Sequence, residues 1–259
     1  MKENPVLEFS HVDVMRLKDL VIQDATFTIN KGDYVGIVGP NGGGKTTLLR
    51  AIFGFLPIKN GSIRLFSKNI QTFSEWDRIA YIPQGAIHFD THFPLTVTEL
   101  VSLGRITRTT IGRPLRKTDW SAVRECLTLM GIDDIAEKRI GSLSGGQKQR
   151  MFIARALVRN PEILILDEPV AGIDATGLES FYKLLSDLNL KKNITILIVS
   201  HDLSSVFCRM TKILCVNKNV YMSDITREID PNVALKKVYG EHFHFVFHDH
   251  ECKGDFHHD

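Results

Sequence analysis

Eight consecutive residues, Gly39-Pro40-Asn41-Gly42-Gly43-Gly44-Lys45-Thr46, set glycines beside one lysine and one hydroxyl, directly after the apolar run Tyr34 to Val38 and directly before a helix-forming stretch. The chemistry this order serves is capture of a phosphate chain. Glycines let successive backbone N–H groups turn towards one anion, and the helix start adds positive potential. Lys45 then reaches the outer phosphates, and the Thr46 hydroxyl is a hard donor for Mg²⁺, with Thr47 beside it. Strand, glycine-rich loop and helix together make a P-loop, so the expected ligand is ATP with Mg²⁺.

A second site follows at Ile163-Leu164-Ile165-Leu166-Asp167-Glu168, where four apolar residues bury a strand and two carboxylates stand at its C-terminal end. Their expected roles differ. Asp167 holds Mg²⁺, while Glu168 polarises the water that attacks the γ phosphate. Between the two sites lies Leu143-Ser144-Gly145-Gly146-Gln147, at the start of the helical stretch KQRMFIARALV. Ser144, Gly145 and Gly146 at a helix start form a second anion nest, and one nucleotide does not need two.

With LSGGQ in place, the sequence from about residue 6 to 220 resembles the nucleotide-binding subunits of ATP-binding-cassette proteins, whose signature those five residues match. The resemblance implies a head-to-tail homodimer in which each ATP lies between Lys45 of one chain and Ser144 to Gln147 of the other. It also implies roles for three further residues. Gln84, in YIPQG, matches the glutamine that touches Mg²⁺ and the attacking water. His201, in IVSHD, matches the histidine that contacts the γ phosphate, and Asp174, in AGID, matches the aspartate that connects the two sites of the dimer. One position departs from the family. Where an aromatic residue usually stacks on adenine this chain carries Arg16, and no Tyr, Phe or Trp occurs between Ser10 and Ala25. A guanidinium can also stack on a base.

These residues need a scaffold, and the hydrophobic pattern supplies one. Residues 34 to 38, 163 to 167 and 195 to 199 are short runs rich in β-branched side chains, as in parallel strands covered on both faces. Helical periodicity at 46 to 53 and 176 to 190 separates them, which implies right-handed crossovers. Residues 6 to 9, 20 to 29 and 62 to 66 alternate apolar and polar, the pattern of an antiparallel sheet with one wet face. The stretch from about 86 to 158 has helical periodicity and little strand character. The expected fold is therefore α/β: a P-loop NTPase core with a parallel sheet, an antiparallel β subdomain and an inserted helical subdomain. Residues 1 to 240 form the ATPase domain and 241 to 259 a histidine-rich tail.

Composition narrows the setting. The chain has 259 residues, 32 basic and 30 acidic, and a net charge of +2, so no basic surplus argues for nucleic acid as a partner. No apolar run exceeds four residues, against the roughly 18 to 20 needed to cross a bilayer. The start, MKENPVLEF, lacks a secretory signal, which places the expected protein in the cytoplasm. Cys126, Cys208, Cys215 and Cys252 show no CxxC spacing, arguing for reduced thiols.

The use made of ATP is read from weaker cues. FPLTVTELVSLGR at 93 to 105, ILDEPVAGID at 165 to 174 and the chain length resemble the branch of the family that powers import of zinc or manganese. That resemblance implies a separate membrane permease, docked through a groove lined by residues 85 to 105, and an extracytoplasmic metal-binding protein; the subunit would sit on the inner face of the membrane. Import of iron chelates, haem or cobalamin, and a soluble cassette ATPase of iron–sulfur cluster assembly, remain alternatives. In the tail, His242, His244, His248 and His250 follow an i, i+2 rhythm beside Asp249 and Cys252, a donor set suited to Zn²⁺.

Overall fold

The computed structural model describes residues 4–86, 93–107, 109–170, 175–226 and 231–240. In chain order the elements are β1 (Pro5–Arg16), β2 (Asp19–Asn30), β3 (Tyr34–Val38), α1 (Lys45–Ile52), β4 (Ile58–Leu65), β5 (Lys68–Asn69), β6 (Ile79–Ile82), α2 (Val97–Leu103), α3 (Lys117–Met130), α4 (Gly145–Leu157), β7 (Ile163–Asp167), α5 (Ala175–Lys192), β8 (Thr195–Val199), α6 (Leu203–Arg209), β9 (Lys212–Asn217), β10 (Asn219–Asp224) and α7 (Pro231–Tyr239). The chain divides into two compact units, one of residues 1–74 with 185–259, the other of residues 75–184.

The first unit holds an antiparallel sheet in the order β2-β1-β4-β5. Its alternation is that of a sheet wet on one face: in β2, Ala25, Phe27 and Ile29 are buried while Thr26 and Thr28 are exposed. Phe9 and Phe27 face each other across β1 and β2 with stacked rings 4.5 Å apart. The same unit contains β3 between two parallel neighbours, β8 and β9, with β10 antiparallel outside β9. Every residue of β3 and of β8 is buried, which is why both read as unbroken apolar runs rather than as alternation.

In the second unit β6 and β7 pair in parallel, Ile82 opposite Leu166. Helices α2, α3 and α4 pack on one another, and α4 also packs on β6. Two strands of the parallel set, β6 and β9, were not among the expected ones. Cys126 and Cys215 are buried thiols, as expected.

Candidate functional site

Within the first unit the phosphate loop leaves the C-terminal end of β3 and enters α1. Gly44 caps the helix in the left-handed region, φ +108°, and no acidic side chain lies in the first turn to offset its positive end. A Cβ on Gly44 would come within 2.7 Å of Ile22 Cδ1, so β2 closes against the loop. Lys45 is only 7% exposed, and its ammonium donates to the carbonyls of Gly39 (2.7 Å) and Pro40 (3.1 Å). A buried ammonium held by the loop's own carbonyls is poised to exchange them for phosphate oxygens. Thr46 is exposed at the helix start and Thr47 is buried beside it. Asn41 and Gly42 are exposed at the loop tip, and Gly43 donates its N–H back to the Pro40 carbonyl at 3.0 Å.

His201 belongs to the same edge. The register pairs Ile37 with Val199, and Ser200 donates its N–H to the Ile37 carbonyl, so the loop and His201 both issue from the C-terminal ends of adjacent parallel strands. His201 is exposed, and Asp202 after it caps α6 through the Ser205 N–H at 3.2 Å. Arg16 ends β1, opposite Asp19, and is exposed. Next to it stands Leu17, 96% exposed at the hairpin tip with φ +57°. This apolar side chain lies on the hairpin whose Val21 and Ile22 approach Gly44, and leucine as a residue type does not by itself signal such an exposed position.

In the second unit the acidic pair stands where expected, at the end of β7. Asp167 is 6% exposed and accepts a hydrogen bond from the Tyr81 hydroxyl at 3.3 Å. Glu168 has φ +49°, a left-handed conformation costly for a residue with a side chain, and Gln84 donates its amide to the Glu168 carboxylate at 2.7 Å. The structure thus brings together two residues 84 positions apart, one from YIPQG and one from the acidic pair.

The signature segment begins α4. Ser144 is its N-cap, with a reciprocal capping box: its hydroxyl accepts the Gln147 N–H at 3.4 Å and its own N–H donates to the Gln147 side chain at 3.0 Å. A Cβ added to Gly145 or Gly146 would meet nothing within 4 Å, and neither has a positive φ. No described residue requires glycine there. Gln149, buried one turn on, donates to the Pro169 carbonyl and so links this helix to the segment after Glu168.

The second unit also holds a cavity of about 650 Å³ lined by Tyr81, Ile82 and Pro83 at the end of β6, by Phe93, Leu95, Leu100 and Leu103, and by Phe152, Arg155 and Arg159 of α4 and its end. Residues between 85 and 105 supply part of the lining, and β6 and α4 supply the rest. Arg159 has its Nε buried without a hydrogen-bond partner among the described residues. Burial, helped by the like charges of Arg105 and Arg155, holds its guanidinium below the usual range.

Among the described residues no group of three metal-binding side chains occurs, and no helix is long and apolar enough to cross a membrane. Asp174 and the tail residues His242, His244, His248 and His250 lie outside the described residues.

Comparison with known proteins agrees with this assembly of motifs. The family model described as ABC transporter matches residues 22–171. The chain is 37% identical over 235 residues to the zinc uptake system ATP-binding protein ZurA of Listeria innocua, covering 91% of each chain. It is 35% identical over 241 residues to the manganese transport system ATP-binding protein MntB of Bacillus subtilis, covering 93% of this chain and 94% of that one. Among solved structures, cbiO1 of Clostridium perfringens, part of the ABC transporter complex cbiONQ, superposes with a TM-score of 0.76 at 27% identity, covering 92% of both chains.

Proposed function

The chain belongs to the ABC transporter family as an ATP-hydrolysing subunit, and from that premise we propose that it powers import of a divalent metal ion, zinc or manganese, through a separate membrane permease. The observation that carries the choice of cargo is similarity over more than nine-tenths of both chains to subunits named for zinc uptake and manganese transport.

Each residue then has a task. The loop from Gly39 to Gly44 cradles the phosphates, Lys45 pairs with the outer ones, and His201 contacts the γ phosphate. Thr46 and Asp167 are oxygen donors of the kind Mg²⁺ takes, one exposed at a helix start and one fixed at a strand end, with the Gln84 amide oxygen as a third. Mg²⁺ held by these donors would neutralise phosphate charge. Glu168 orients and deprotonates the attacking water once Gln84 releases its carboxylate. Arg16 and Leu17 offer the base a cationic plane and an apolar face.

Ser144, Gly145, Gly146 and Gln147 serve a second copy of the chain. Glycines that no described residue demands fit close approach of another molecule, and in a homodimer that molecule is the ATP held by the partner's loop. Asp174 then links the paired sites. The cavity beside β6 and α4 fits a short cytoplasmic helix of the permease, its apolar face against Phe93, Leu100 and Phe152 and an acidic side chain against Arg155 and Arg159. An extracytoplasmic metal-binding protein delivers the ion on the far side, and the subunit sits on the cytoplasmic face of the membrane.

The test is uptake in proteoliposomes made with the permease that co-purifies from native membranes. ATP-dependent accumulation of Zn²⁺ or Mn²⁺, lost with Lys45→Ala, is expected. Transport of ferric chelate or cobalamin instead of the bare ions would overturn the choice of cargo.

A further inference from the structure

Between α2 and α3, and along α3 itself, the second unit carries a charged surface to which none of the ATPase motifs belongs. Residues 109–124 hold four basic side chains, Arg113, Arg116, Lys117 and Arg124, against one acidic, Asp119, a local surplus larger than the +2 of the whole chain. All four cations are exposed. Among the described residues Arg113, Lys117 and Arg124 make no ion pair and no side-chain hydrogen bond. The carboxylates beside them are already engaged. Asp119 accepts the Arg105 guanidinium at 2.8 Å and the Arg116 N–H at 2.9 Å, and Glu125 accepts the Ser121 hydroxyl at 3.3 Å.

Apolar side chains stand among these charges. On α3, Lys117, Trp120 and Arg124 follow i, i+3, i+7 spacing, so they line one flank of the stripe that buries Val123, Leu127 and Met130. Ile111 is 73% exposed in a turn closed by its own hydrogen bonds: the Thr107 carbonyl accepts the N–H groups of Thr110 (3.1 Å) and Ile111 (2.9 Å), and the Thr110 carbonyl accepts that of Arg113 (3.0 Å). Arg105 ties the start of this segment to α3 through Asp119 and to the end of α4 through the Val158 carbonyl, so loop and helix present one surface. That surface runs on to the cavity, since Leu103 and Ile106 are both exposed and both line it.

We propose that this surface lies against the anionic headgroups of the cytoplasmic leaflet, with Arg113, Lys117 and Arg124 facing lipid phosphates and Ile111 and Trp120 entering the interfacial layer. The proposal rests on the reading that the cavity receives a permease helix. Such a helix arrives from the bilayer side, so a rim continuous with the cavity faces the bilayer. Clustered cations are drawn to anionic lipid, and an isoleucine and a tryptophan beside them gain by leaving water for the headgroup boundary. None of the three cations lines the cavity, and they are spread over loop and helix, which suits a field of headgroups better than a single acidic side chain.

The experiment measures partition of the isolated full chain, by sedimentation, onto vesicles of phosphatidylglycerol mixed with phosphatidylcholine and onto vesicles of phosphatidylcholine alone. Compared with the unaltered chain are the triple variant Arg113→Gln, Lys117→Gln, Arg124→Gln; Ile111→Ser; and a control that loses three exposed cations of the first unit, Lys59→Gln, Arg64→Gln, Lys192→Gln. Attraction of the strength typical of cations at an anionic leaflet predicts partition lowered about 100-fold in the triple variant and less than about 5-fold in the control. Ile111→Ser should lower it about 3- to 10-fold, and added salt should weaken binding of the unaltered chain. Melting temperature, basal ATPase and association with the permease in detergent should match the unaltered chain throughout. Equal partition onto the two vesicle types overturns the proposal, as does a triple variant that partitions like the control. If the triple variant keeps its partition onto anionic vesicles but loses the permease in detergent, the surface docks protein and the proposal falls. A chain that binds permease but no anionic vesicle overturns the proposal alone, whereas a chain that binds no permease overturns the reading of the cavity and the proposal with it.

Discussion

Glu168 combines an uncommon backbone conformation with a polar partner, and both bear on its chemistry. Its left-handed φ turns the chain just after the buried end of β7, and the 2.7 Å bond from Gln84 restrains the carboxylate. If Glu168 is the general base, amide substitution removes it with little change in shape. Glu168→Gln should lower ATP turnover by more than about 100-fold while ATP affinity stays within a few-fold, measured by phosphate release and calorimetry. Turnover near that of the unaltered chain would remove Glu168 from the role. Residues of this kind were legible because each sits at a fixed offset from a strand end or helix start: GPNGGGKT after YVGIV, DE after ILIL, LSGGQ before a helix. The bond from Gln84 to Glu168 was not legible, since it depends on β6 and β7 lying side by side. Leu17 was missed for a different reason. Exposure of a leucine at a hairpin tip is a tertiary fact, and its residue type alone suggests a core position.

Among the elements, strands buried on both faces announced themselves through composition, as β3, β7 and β8 did with five buried residues each. The β6 strand did not, because IAYI is four residues long and its Tyr81 points to an exposed face near Asp167. Helix α3 shows how an element of the second unit is fixed by charge. The Asp119 carboxylate accepts the Arg116 N–H at 2.9 Å and the Arg105 guanidinium at 2.8 Å, while Arg105 also reaches the Val158 carbonyl past the end of α4. The Arg116 N–H, followed by the Arg105 guanidinium, holds this carboxyl below the usual carboxylate range. A depressed value in the folded state means stabilisation that is complete above the unfolded value, near 3.9, and is lost as pH falls through the folded one. Asp119→Asn should therefore melt lower than the unaltered chain at pH 7, with the gap closing below about pH 4, followed by circular dichroism. A gap independent of pH would show that the charge is not what anchors α3. The cavity floor gives a second test at this scale. Arg155 is exposed, so Arg155→Glu should leave the fold and basal ATPase intact but weaken association with the permease by about 10-fold or more in a pull-down titration. Unchanged association would mean that no acidic side chain docks there.

For the whole molecule the decisive feature is that one chain carries two anion cradles and one P-loop. Among the described residues the Ser144 segment is a well-made helix cap: its hydroxyl and N–H are satisfied by Gln147, and the space over Gly145 and Gly146 is open. An open, positive helix start, with two glycines that no described residue crowds, fits an anion supplied by another molecule. If that anion is the ATP on the partner's Lys45, lesions in the two cradles must complement each other in mixed dimers. Chains with Lys45→Ala and chains with Ser144→Arg should each be inactive as homodimers. In a heterodimer one composite site contains both lesions and the other contains neither, so one of two sites is restored. An equimolar mixture in which half the dimers are mixed should regain up to about a quarter of the ATPase activity if the sites turn over independently, and less if they must fire together. The measurement is phosphate release across mixing ratios, with heterodimers quantified by tags on the two chains. Activity that never rises above the single variants, with heterodimers present, would mean that Lys45 and Ser144 do not act on the same nucleotide.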